Sequence, residues 1–214
     1  MPAVRAIVLV QLRLATEQSS EQYIAMQGWR TASLIRCPLC AKGGCGFARH
    51  GTYPRTPVGA KVARWYCPRG RITFSLLPDC LPSRLGGTLP EVEHVVAQRE
   101  HLGVEAAANQ LRPPEQTDAI TLESAVRWVH RRARLVHAGL RSIIGLFPEV
   151  LAGIEPTVTA VRLHLNTLPV LGVVREIAAA HLHALPPPLG FGPRPQRRWT
   201  RPEHLQQSMG PDPP

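Results

Sequence analysis

Cys37 and Cys40 stand three positions apart in the run Cys37-Pro38-Leu39-Cys40, and Cys67 opens a second short run, Cys67-Pro68-Arg69-Gly70. Two thiolates at this spacing can grip one ion while the amides between them turn toward the sulfurs. Tetrahedral closure then needs two further ligands from elsewhere in the chain. Cys67 is the expected third. For the fourth, Cys45 and His50 both lie close to the first pair. Cys45 is preferred, and Cys80 is less suited because the intervening strand should carry it away. Five cysteines is an odd count, and four of them fall between positions 37 and 67. In a reducing compartment that pattern points to metal rather than disulfides. A redox dithiol normally opens a helix after a strand, and neither Pro38 nor the Gly43-Gly44-Cys45-Gly46 loop looks like a helix start. The expected cofactor is Zn2+ held by Cys37, Cys40, Cys67 and Cys45. Its role is structural, because no glutamate is placed nearby to act as a base.

The elements that must position these cysteines are short strands. Phe47 to Arg55 and Lys61 to Tyr66 read as two strands around the turn-prone Thr56-Pro57-Val58-Gly59, Arg71 to Leu76 reads as a third, and Pro78 and Pro82 then interrupt regular structure. Residues 29–86 therefore form a zinc-ribbon-like β-hairpin module. It carries ten lysines and arginines against a single acid, Asp79. The chain as a whole has a formal net charge of +10, which favours polyanionic partners, nucleic acid first. Arg49, Arg55, Arg64, Arg69 and Arg71 are the candidate phosphate contacts of the module. Residues 1–28 precede it as an N-terminal extension in which Val4 to Leu14 has strand character.

The stretch Cys37-Pro38-Leu39-Cys40, then His50-Gly51-Thr52-Tyr53-Pro54-Arg55, then the run from Arg64 to Arg84 containing Thr73-Phe74-Ser75-Leu76-Leu77-Pro78, resembles a bacterial zinc-ribbon domain of unknown function. Related ribbons occur in transposase-related and insertion-sequence-associated proteins. The resemblance covers about a quarter of the chain. It implies zinc binding and a mobile-element, DNA-binding context, and it supports Cys37, Cys40 and Cys67 as ligands. Gly70 stands where that family places a fourth cysteine.

Residues 88–185 read as an all-α, helix-turn-helix-like region. Thr88 is a plausible N-cap with Pro90 and Glu91 in the first turn, and Gly103 is a natural stop. A short helix spans Val104 to Leu111. Thr121 then caps a long helix that ends at Pro148, and two more are expected from Thr157 to Leu165 and from Val170 to Leu185. On the long helix, Leu122, Val126, Val129, Ala133, Val136, Leu140, Ile143 and Phe147 recur at alternating spacings of four and three, which makes one apolar stripe. Arg127, Arg131 and Arg134 lie roughly opposite and extend the candidate nucleic-acid surface. The stripe also permits pairing with a protein partner or a second copy. Trp128, at its edge, is expected in the core. Residues 186–214 open with three prolines and read as a Pro/Arg-rich disordered tail.

The expected fold class is thus α+β: a ribbon-like hairpin, a helical region, then the tail. No window offers the long uncharged apolar run that a spanning helix needs, and a soluble cytoplasmic protein is expected. There is no nucleophile elbow, phosphate loop or dinucleotide fingerprint, and the 15 acids form no recognisable two-metal set. The expected function is DNA recognition without a catalytic core. The competing readings are a zinc-stabilised protein-interaction module and a degraded insertion-sequence reading frame.

Overall fold

The computed structural model describes residues 8–56, 58–112 and 121–192. Its architecture is α+β, with one four-stranded sheet and seven helices among the described residues. The strands are β1 (Val8–Leu14), β2 (Ala48–Arg55), β3 (Ala60–Cys67) and β4 (Ile72–Pro78), arranged in the order β1-β4-β3-β2. β2 and β3 form an antiparallel hairpin, β3 and β4 form a second, and β1 adds to β4 in parallel, from Val8 opposite Ile72 to Leu14 opposite Pro78. The three strands read from the module's sequence are all present within a few residues. What the residue pattern did not reveal is that the N-terminal segment belongs to the same sheet. A parallel partner 64 residues away leaves no local signal, because β1 has no turn joining it to β4.

β4 is covered on both faces. Thr73, Phe74, Ser75, Leu76 and Leu77 are all buried, as befits an inner strand flanked by β1 and β3. The short helix α1 (Ser20–Ala25) begins with a capping box between Ser19 and Gln22 and buries Tyr23, whose hydroxyl donates to the Lys61 carbonyl at 3.1 Å. Tyr23 meets Trp29 edge to face at 5.9 Å, and both join the sheet core together with Phe74, Leu76, Leu77 and Leu81.

The helical half comprises α2 (Leu89–Leu102), α3 (Val104–Gln110), α4 (Leu122–Leu146), α5 (Pro148–Leu151), α6 (Val158–Leu165) and α7 (Val170–Ile177), with a 3-10 turn at Ala179–His181. Thr88, Thr121 and Thr157 cap α2, α4 and α6 by accepting from the third backbone amide of each helix, the first two as expected. Val129, Ala133, Val136, Leu140 and Ile143 of the α4 stripe are buried, whereas Leu122 at its start is exposed. The expected helix from Val170 to Leu185 stops at Ile177. The chain there tightens into the 3-10 turn and then packs back on itself, with Phe191 and Gly192 donating to the carbonyls of Leu182 and Leu185.

That return corrects the expected tail. Residues 186–192 are ordered into the core: Leu189 is fully buried against Gly139 of α4, and Ser83 donates its amide to the Pro188 carbonyl. Prolines impose a rigid path, and here that path is folded against the protein rather than released into solvent. Residues 193–214, including Arg194, Arg197, Arg198 and Arg201, lie outside the described residues, as do residues 113–120 between α3 and α4.

Helix α2 organises the helices that follow it through two carboxylates one heptad apart. Glu93 accepts from the amides of Val170 and Leu171 at 3.0 and 2.8 Å and pairs with Arg162 at 3.0 Å. Glu100 accepts from the amides of Val158 and Thr159 at 2.9 and 2.8 Å, from the Thr159 hydroxyl at 2.7 Å, and pairs with His137 at 2.7 Å. Each carboxylate thereby satisfies the orphan amides at the start of a distant helix and faces its positive end. Burial acts to raise the pKa of Glu100. The bonds from His137, Thr159 and Val158 outweigh it, and hold the carboxyl below its ordinary value. A folded-state value below the unfolded one contributes stability at pH above the unfolded value of about 4.3. The contribution is lost as pH falls through the lowered folded value. Glu100→Gln is therefore expected to destabilise the protein at pH 7 by about 2 kcal/mol in urea titrations, and by progressively less as pH is taken from 5 toward 3. An undiminished gap at pH 3 would contradict this role.

Candidate metal centre

The cysteines reach one point from three separate pieces of chain. Cys37 and Cys40 sit on a tight turn before β2, in which the Cys40 amide donates to the Cys37 carbonyl at 3.3 Å and the Gly43 amide to the Cys40 carbonyl at 2.9 Å. Gly43, Gly44 and Gly46 then adopt φ of +73°, +69° and +68°, the left-handed region that favours glycine. This glycine run bends the loop back so that Cys45 returns to the turn. Cys67 is the last residue of β3, and the Gly70 amide donates to its sulfur at 3.3 Å. Both knuckles thus aim backbone amides at sulfur, as a thiolate requires.

The sulfurs of Cys37, Cys40, Cys45 and Cys67 all lie within 4.8 Å of one another. Those of Cys40 and Cys67 are 4.0 Å apart. Four sulfurs around a tetrahedral ion at about 2.3 Å would be roughly 3.8 Å apart, so the donor set fits one ion with small adjustments. It does not fit a disulfide, which needs sulfurs about 2.05 Å apart; all five cysteines are free. Cys37, Cys45 and Cys67 are buried and Cys40 is half-buried. These four cysteines could hold a metal ion.

The protonation pattern of the cluster suits displacement by a cation. For Cys37, burial acts upward, but the Leu39 amide and its thiol neighbours overcome it and lower the pKa. Cys40 is pushed up to about 12 by burial and by hydrogen bonds within the cluster. Cys67 gains from the Gly70 amide, yet burial and neighbouring thiols leave it raised. Several thiolates cannot crowd together without a counter-ion. Metal entry must therefore release protons.

The fourth position is where sequence alone left a choice. Cys45 joins the group, whereas His50 stacks on the ring of Tyr66 with centroids 5.5 Å apart and Cys80 stands beyond the end of β4. At Gly70, a Cβ would lie 2.8 Å from the Leu39 methyl and 3.6 Å from the Cys67 sulfur. The place a second-knuckle cysteine would take is thus filled in part by Leu39, and a thiol from the glycine loop stands in its stead.

The predicted arginines divide into two groups. Arg49 donates to the carbonyls of Trp29 and Arg30 and lies over the Trp65 ring at 5.3 Å. Arg55 donates to the carbonyls of Pro82 and Leu85, both at 2.5 Å, and burial lowers its pKa. Arg64 lies over the Tyr53 ring at 5.9 Å with its Nε buried. Arg49 and Arg55 fasten the hairpin to distant backbone carbonyls, a role that spacing could not reveal, while the buried Nε of Arg64 has no hydrogen-bond partner among the described residues. Arg69 and Arg71 are exposed on the turn between β3 and β4, and Lys42 and Arg69 flank the same cleft beside Cys40. Arg127, Arg131 and Arg134 are exposed on α4. None of these last five arginines has an acidic partner among the described residues. Trp128, expected in the core, is instead 41% exposed.

Among the described residues no helix is long and apolar enough to cross a membrane. Compared with family models, with curated proteins and with solved structures, the chain matches none.

Proposed function

We propose that this chain is a zinc-stabilised nucleic-acid-binding protein: a DNA-recognition or accessory fragment of the kind found beside transposases, with no catalytic core of its own. One observation carries the reading. Four thiols converge where the loop before β2 meets the β3–β4 turn, and the exposed cations of those two segments, Lys42, Arg69 and Arg71, have no acidic partner among the described residues. Thiolate sulfur in a four-ligand, closed arrangement selects zinc, and without an open position the ion is structural. The ion would then keep a positively charged turn in shape against phosphates. The helical half supports the same partner. α2, α3 and α4 share a small core of Val95, Ala107, Ala108, Ala125 and Val129, an order and packing compatible with a helix-turn-helix. α4 turns Arg127, Arg131 and Arg134 outward.

Binding through phosphates has a distinctive salt dependence: log K falls with log salt by about 0.9 per phosphate contact on duplex DNA. Zinc-loaded protein is expected to bind a labelled duplex at 50 mM salt and to lose affinity steeply by 200 mM. Arg69→Ala with Arg71→Ala is expected to reduce the slope by about two. Absence of affinity at low salt would refute the reading. So would a metal analysis finding no zinc in protein purified without chelator.

A further inference from the structure

Trp128 is the largest exposed aromatic of the long helix, and its setting is organised. The guanidinium of Arg132 lies 3.3 Å over the indole, and Arg132 is itself buried, its Nη2 donating to the Gly86 carbonyl at 3.0 Å. A side chain anchored to the backbone of another element therefore holds one face of the ring. The 41% of Trp128 that stays accessible lies on what Arg132 does not cover. An exposed tryptophan alone is unremarkable. An exposed tryptophan whose tilt is fixed by a buried cation is a preformed platform.

Its neighbours supply charge. At about 100° per residue, Arg127, Arg131, Arg134 and Arg141 fall within a narrow arc of α4, and Trp128 stands on the border of that arc, about 60° from Arg131. All four arginines are exposed. From Arg127 to Arg141 the row extends about 21 Å along the helix, long enough to follow several phosphates. A cationic row with an aromatic plane at its edge is the combination that grips a strand whose bases are free to stack. Paired bases in a duplex keep their faces covered by one another and offer such a ring nothing.

We propose that Trp128 is a stacking platform for an unpaired base, and that the α4 surface takes single-stranded or locally unpaired nucleic acid. The inference rests on the nucleic-acid reading above and narrows it. Arg132 is a positioning residue that acts through the indole, while Arg127, Arg131 and Arg134 hold the phosphates on either side.

The test uses the full zinc-loaded chain and three probes: an unstructured thymidine oligonucleotide, a duplex of equal length, and heparin as a polyanion without bases. Stacking on one aromatic is worth about ten- to a hundredfold in affinity. Trp128→Ala is expected to weaken oligonucleotide binding about tenfold or more while leaving heparin and duplex binding unchanged, and Trp128→Phe, which keeps a ring, is expected to recover most of the loss. The heparin probe guards against a folding defect. Equal binding of the oligonucleotide by Trp128→Ala and the parent, or an equal loss on all three probes, overturns the platform and leaves the charge-based reading standing. A parent protein that binds the base-free polyanion but neither nucleic acid overturns both.

Discussion

Cys67→Ser is expected to weaken zinc binding by the protein about a hundredfold and, with it, to loosen the order of the ribbon. Structural zinc in small modules is worth roughly 10–16 kcal/mol of apparent binding free energy. Losing one of four thiolates should remove on the order of 3 kcal/mol of that, about a hundredfold in zinc affinity. Cys67 is the critical choice because it is fully buried at the end of β3 and receives the Gly70 amide; its sulfur belongs at once to the cluster and to the sheet core. Cys45→Ser should have a comparable effect, and Cys80→Ser should have none on metal. A gain-of-ligand variant sharpens the test. With Leu39 trimmed to alanine to open the space beside Gly70, adding Gly70→Cys to Cys45→Ser is expected to restore much of the lost affinity, since a Cβ there sits 3.6 Å from the Cys67 sulfur. Metal content by atomic spectroscopy and a chelator competition measure all of these. If Cys45→Ser held zinc as tightly as the parent, Cys45 would not be the fourth ligand.

The second large effect is expected at Arg175. This guanidinium is 1% exposed and bonds no carboxylate. It donates instead to three backbone carbonyls: Leu189 at 3.1 Å, Asp79 at 3.0 Å and Leu81 at 2.8 Å. Its ring neighbour is Phe191, at 5.1 Å. Those contacts join the exit of β4, α7 and the returning segment at 186–192, which is where the sheet core and the helical core meet. Burial lowers its pKa to about 10, with nearby Asp79 acting in the opposite direction, so at neutral pH it remains charged. Removing it frees the protein of a desolvated charge but leaves three buried carbonyls without donors, each worth about 1–3 kcal/mol. The carbonyls should win. Arg175→Met is expected to lower stability by about 3 kcal/mol in urea titrations, whereas Glu176→Gln, one residue away and mostly exposed, should change it by about 0.5 kcal/mol or less. A neutral or stabilising Arg175→Met would mean that the desolvation of the charge, not the carbonyl network, dominates.

The two effects bear on different links between sequence and structure. The cysteine site was legible because ligand chemistry imposes types and spacing: a pair three residues apart, a hairpin's length, then a third sulfur. Proximity in sequence to the knuckle offered both Cys45 and His50, and the left-handed glycines around Cys45 are what turn its proximity into convergence. The threonine caps of α2 and α4 and the stripe on α4 were legible for the same reason, since each is a pattern completed within one helix.

The arginines were not legible. Arg49 and Arg55 look the same in sequence as Arg69 and Arg71, yet the first two turn inward to carbonyls 19 to 30 residues away. Trp128 was misplaced because helical periodicity gives an angle on the helix and not what packs against it; no core side reaches that far round α4, and Arg132 is there instead.

From the order of its residues alone, the chain determined the strands of its hairpins, its long helices with the caps of α2 and α4, and the cysteines that converge at one point, because each depends on spacing over a turn or a hairpin. Only the tertiary structure decided that β1 closes the sheet beside β4, that Glu93 and Glu100 cap helices some 58 to 78 residues further on, and that residues 186–192 return to the core. Each of those joins groups whose separation along the chain carries no periodic signal. What selects them is the need to satisfy buried amides and carbonyls, a demand that exists only once the elements have packed.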